Sequence, residues 1–177
     1  MKNLFFVLFA TSLAISASTF AVESPATFKV SEFTFTRPAS WETLETTSQM
    51  RKAQFKITDP NTKDTADVIF FYFGPGNGGG TKANVDRWLG QFKEPKDQVK
   101  ASTEESIVSG HKVTYVRAEG TYMSGMPGGP TTPKPNYALA GAIIESAEGS
   151  VFVRLTGPRE LVKSSFADFK KMIESAK

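Results

Sequence analysis

The chain contains no cysteine among its 177 residues and a single histidine, His111. The first absence excludes disulfides, thiol nucleophiles, thiolate metal sites and iron–sulfur chemistry, so an apolar core must hold the fold unaided. The second leaves little for zinc, whose sites draw on several His or Cys ligands. No metal and no cofactor are expected. Long hydrophobic runs are scarce as well. The uncharged apolar stretch at residues 4–17 falls short of the ~20 residues that a helix needs to span a bilayer. Nor does one sign of charge dominate: 21 Lys and Arg stand against 18 Asp and Glu. The signs interleave, as in Lys93-Glu94-Pro95-Lys96-Asp97. Nucleic-acid binding calls for a concentrated basic face, so that class of partner is not expected.

What is present begins with a leader. Met1-Lys2-Asn3 supplies one positive charge, the apolar stretch follows, and Thr19-Phe20-Ala21 places small residues at the −3 and −1 positions of a cleavage site. Residues 1–21 read as a signal peptide, which predicts an exported protein, periplasmic or extracellular, with no membrane span after cleavage. Residues 22–177 remain as one domain. Loss of Lys2 leaves 20 basic residues against 18 acidic ones, a net charge of +2. The mature length suffices for a single hydrophobic core.

Periodicity then assigns the elements. Residues 28–35 suggest one or two strands ending at Pro38, and 41–46 a weaker one. Residues 53–57 alternate apolar and polar as a half-buried strand should. Residues 66–73 carry a continuous apolar run from Val68, the pattern of a strand covered on both faces. Val85, Trp88, Leu89 and Phe92 form one helical stripe within 82–93. Hairpins are expected from 103–108 with 111–123, and from 137–146 with 150–155. A last helix runs over 158–175 with Leu161, Val162, Phe166, Phe169, Met172 and Ile173 on its buried side. The predicted fold class is α+β: a mostly antiparallel sheet with one helix packed on each face.

The opening Phe33-x-Phe35-x-x-Pro38-x-x-Trp41, the strand-rich middle and the final helix with Phe166, Phe169 and Ile173-x-Ser175 resemble the PsbP-like superfamily. That superfamily includes the lumenal PsbP proteins of photosystem II and the Mog-type Ran-binding proteins. The resemblance implies an α/β/α sandwich used for binding proteins. It transfers no partner residue by residue, because the two unusual loops of this chain match none of its motifs.

The first of those loops, Gly74-Pro75-Gly76-Asn77-Gly78-Gly79-Gly80, lies between a strand and a helix. It matches GxGxxG formally, yet a dinucleotide site needs a parallel βαβ unit, and a P-loop needs lysine directly before Ser or Thr. Here Thr81-Lys82 stand in reverse order. Two readings remain: turn-making or mobility, and backbone N–H groups at a helix start approaching an anion or partner. The second loop, residues 124–136, is long and rich in Gly and Pro. It is either a passive connection or a recognition segment displaying Met126. Asn77, Thr81, Lys82, Met126 and Lys134 are the candidate ligand-binding residues. Chain direction places them at opposite ends of the sheet: Asn77, Thr81, Lys82 and His111 at one, Met126, Lys134 and Arg159 at the other.

No catalytic residue is nominated. The expectation is an exported non-catalytic binding or accessory domain that contacts a protein partner of the envelope or exterior. The rival is a hydrolase using His111 or a carboxylate pair, although no G-x-S-x-G elbow accompanies that histidine.

Overall fold

The structure, a computed structural model, describes residues 26–125 and 129–177. The expected leader, residues 1–21, and Met126 lie outside the described residues. In chain order the elements are β1 (Ala26–Val30), β2 (Phe33–Arg37), β3 (Glu42–Leu44), β4 (Arg51–Thr58), β5 (Thr65–Tyr72), α1 (Thr81–Leu89), β6 (Lys100–Val108), β7 (His111–Gly125), β8 (Thr131–Ile144), β9 (Val151–Pro158) and α2 (Arg159–Glu174).

β1 and β2 form a hairpin of their own, and the other seven strands make one antiparallel sheet in the order β3-β4-β5-β9-β8-β7-β6. Two runs of consecutive strands therefore meet at a single seam, β5 against β9, where Phe70 lies opposite Val153. The chain is α+β and mostly antiparallel, as the alternation of apolar and polar residues implies.

The central strands bury both of their faces, and alternate residues enter different clusters. Ala138, Ala140, Ala142 and Ile144 of β8 join Val151, Val153 and Leu155 of β9 in one cluster, together with Phe33, Phe35, Leu161, Val162, Phe169, Met172 and Ile173. Leu139, Ile143 and Phe152 join Trp88 and Phe92 in the other. The α2 stripe and the β1–β2 hairpin thus belong to the first cluster, and Trp88 of α1 belongs to the second. Gly141 lets Trp88 lie flat against the sheet, since a Cβ there would stand 2.3 Å from the indole ring.

Two departures from expectation bear on the ends of the sheet. The first helix covers Thr81–Leu89, not 82–93. Gly90 caps it, its N–H donating to the Asp86 carbonyl while the Gln91 N–H donates to that of Trp88, and Phe92 stays buried through a bridge to Tyr122. The expected loop 124–136 is mostly strand. β7 continues to Gly125 and β8 begins at Thr131, so Lys134 sits in a strand opposite Tyr122. Pairing between β8 and β9 starts only at Tyr137. Before that point β8 has β7 as its strand neighbour on one side, and an open side tolerates Pro133 and Pro135 despite their missing N–H.

Glu94 anchors the root of this extended arm. Both of its carboxylate oxygens accept from the Thr121 N–H, at 2.9 and 3.0 Å. Gly120 makes room for that contact, because a Cβ on it would meet a Glu94 oxygen at 2.7 Å. Main-chain bonds from Lys93 to the Thr121 carbonyl and from Met123 to the Gln91 carbonyl complete the attachment.

Candidate functional site

The strands run alternately up and down the sheet, so the glycine loop after β5 and the strand ends at Gly125 of β7 and Thr131 of β8 stand at opposite ends. At the glycine end the polar groups satisfy one another. Asn84, 2% exposed, donates its side-chain amide to the carbonyls of Gly78 at 2.8 Å and Gly80 at 3.1 Å. Its own oxygen accepts from Arg87 at 2.8 Å. Gly78 has φ +91°, and a Cβ there would press within 2.7 Å of the Phe152 ring. The glycines therefore shape a close-packed turn whose carbonyls point at an amide.

The residues nominated at that end share its character. Asn77 is exposed and closes the turn, with its amide on the Pro75 carbonyl at 3.1 Å and its N–H on Gly74. Thr81 donates to the Glu145 carboxylate at 2.7 Å. Lys82 pairs with Asp86 one helical turn on, at 2.8 Å. That contact raises the lysine pKa and lowers the aspartate pKa. The Nδ1 of His111 is bonded to the main-chain carbonyl of Glu145 at 3.1 Å, and its ring meets Phe33 edge-on. Both contacts tie strand ends together, and neither engages a hydroxyl nucleophile.

At the other end Lys134 is exposed on the arm, and Arg159 opens α2. Beside Arg159 the surface folds inward into a cleft of ≈ 280 Å³ between the first two turns of α2 and strands β6, β7 and β8. Its floor and apolar wall come from Ala138, Ala140, Val162 and Phe166. The small β8 side chains keep the floor low, and α2 leaves the outer strands uncovered there. Lys100, Arg117, Arg159 and Lys163 line the same space, with Glu119 as their one carboxylate.

Register explains how these charges converge. Lys100 lies opposite Glu119 and Ser102 opposite Arg117, so side chains far apart in sequence project from one face. Glu119 is shared, at 3.7 Å from Lys100 and 4.0 Å from Arg159. Arg159 also reaches Glu160 at 3.1 Å. Arg117 lies over the Phe166 ring, 5.0 Å from its centroid. Neither Arg117 nor Lys163 forms an ion pair among the described residues.

Just beyond the cleft, Lys170 bonds Glu104 at 2.8 Å and lies 5.2 Å over the Tyr115 ring. The pair raises the lysine pKa and lowers that of the glutamate. Burial, followed by the charges of Glu174 and Glu104, pushes the Tyr115 phenol up. This tyrosine stays a neutral wall at physiological pH. The nominated set thus divides. Asn77, Thr81 and Lys82 do not border the cleft, Lys134 stands on the arm, and of the residues placed at the two ends of the sheet from sequence Arg159 alone lines it.

No family model and no curated protein matches the chain. Among solved structures, the cyanobacterial PsbP (CyanoP) of Synechocystis sp. PCC 6803 superposes with a TM-score of 0.54 at 11% identity, covering 92% of this chain and 96% of that one. A Pseudomonas aeruginosa protein of unknown function aligns at 13% identity and TM-score 0.48, over 85% of this chain and 94% of its own. The fold is similar to that of PsbP, in keeping with the sequence resemblance.

Proposed function

We propose that the protein is an exported, non-catalytic binding or accessory domain. Its α/β/α sandwich, with one helix on each face of the sheet, presents the cleft beside α2 to a protein partner of the envelope or exterior. The observation that carries this reading is the charge arrangement in the cleft: four cations around one shared carboxylate, above an apolar floor. Such a site attracts and orients an anionic group. It offers no nucleophile–base pair of the kind acyl transfer requires, and the lone histidine is bonded to a main-chain carbonyl at the far end of the sheet. Export rests on the pattern of residues 1–21.

The test uses the native protein and the Arg117→Glu/Lys163→Glu variant as baits in quantitative pull-downs from envelope extract. Both positions are exposed, so circular dichroism should match. Partners held by the native protein should be lost from the variant. An identical partner set on both baits would overturn the assignment of the cleft. Intact mass of the secreted or periplasmic form, expected to begin at or near Val22, checks the export half.

A further inference from the structure

We infer that the cleft seats the free C-terminal carboxylate and apolar last side chain of an extended partner peptide. This rests on the binding role proposed above and adds the chemistry of the occupant. Its volume of ≈ 280 Å³ lies near the lower end of the roughly 300–1,000 Å³ typical of small-ligand sites. That is room for a headgroup and one side chain. Ala138, Ala140, Val162 and Phe166 supply the apolar surface, and burying a medium-sized apolar side chain there is favourable.

The headgroup is anionic. Arg117 and Lys163 form no ion pair among the described residues, and the guanidinium fork matches the two oxygens of a carboxylate. Arg159 and Lys163 stand in the first turns of α2, where the helix dipole adds positive potential.

The mouth selects a chain end over a free molecule. Lys100, Ser102, Arg117 and Lys163 are all exposed, so the cleft stays open on that side, whereas small-ligand sites enclose ~70–90% of their occupant. A chain end needs only its last residue seated while the rest leads away. β6 borders the opening and pairs with β7 alone in the sheet. Its outer edge offers main-chain donors and acceptors to the residues leading out, as in strand addition.

The experiment selects from random heptapeptides displayed with free C-termini, using the intact mature protein as bait. Enrichment of an apolar terminal residue is expected. The best peptide, made synthetically, should bind at least tenfold more weakly when amidated. Arg117→Gln should weaken the free acid by at least tenfold, and Lys112→Gln at the other end of the sheet, where that lysine pairs with Glu105, should leave it unchanged. The amidation arm needs no variant and is independent of folding. No enrichment, or equal binding of acid and amide, overturns the inference. So does octanoate binding without any enriched peptide, which would make the cleft a seat for a free amphiphile. If peptides fail while the pull-down still loses partners on reversal of the cleft charges, the binding role survives and only the terminal carboxylate falls.

Discussion

The glycine loop and the cleft beside α2 stand at opposite ends of one sheet and teach opposite lessons about unusual sequence. The loop, with five glycines in seven residues, is conspicuous in the chain yet inward-looking in the structure. Its carbonyls go to Asn84, its turn to Asn77, and its tightest glycine to the Phe152 ring. The cleft is assembled from ordinary residues on three strands and a helix, yet its Arg117 and Lys163 form no ion pair among the described residues. Compositional oddity here marks a steric demand. Unmatched charge beside an apolar floor marks a place for something else to bind.

This contrast can be broken or sharpened by substitution. The largest effect should come from Gly78→Ala. It places a Cβ against Phe152 and holds alanine at a left-handed φ, costing about 2–4 kcal/mol from overpacking and backbone strain together. Thermal unfolding should then shift down by roughly 2–4 °C for each kcal/mol lost. A silent variant would show that the loop tolerates side chains and is not a packed turn. Asn84→Ala comes next, at about 1–3 kcal/mol, because it removes the buried amide that serves the part-buried loop carbonyls. Chemical denaturation would measure it.

Glu94 provides a pH-dependent test at the arm. The Thr121 N–H holds its carboxyl below the ordinary glutamate value of 4.5. A depressed folded-state pKa contributes stability that is present above the unfolded value and is lost as pH falls through the folded one. The native urea midpoint should therefore fall more steeply with acid below about pH 4.5 than that of Glu94→Gln. Parallel slopes would remove Glu94 as the anchor. The smallest effect belongs to Arg117→Gln. Exposed and without an ion pair among the described residues, it should cost no more than about 0.5–1 kcal/mol through its contact with Phe166. A larger loss would make that arginine a structural strut and weaken the comparison from the cleft side.

Much of the fold was legible because a strand reports its own burial. The alternation at 53–57, the continuous run at 68–73 and the α2 stripe each correspond to an observed element. The failures have local causes. Phe92 continues the helical period past Gly90, so the pattern overruns the cap that ends α1. Pro133 and Pro135 read as loop because a lone segment cannot show that one side of its strand is open. The cleft escaped for a different reason, since its cations meet only through register. A signal was nevertheless present in β7, whose residues 113, 115, 117 and 119 share one face and change from Val and Tyr to Arg and Glu. A core-facing strand that turns charged partway marks where its covering layer stops.

The seam between β5 and β9 also has a consequence in time. Strands β3, β4 and β5 can pair locally as soon as they are made, but β5 gains its other neighbour only when residues 151–158 arrive. β2 waits longer still, since Thr34 exchanges main-chain hydrogen bonds with Lys177 at 3.0 and 3.2 Å. Contacts of such long sequence separation slow folding, because the loop must close before pairing stabilises it. Pairing across this seam, and the attachment of β2 beside it, is therefore expected to form late, after the local hairpins of the early half.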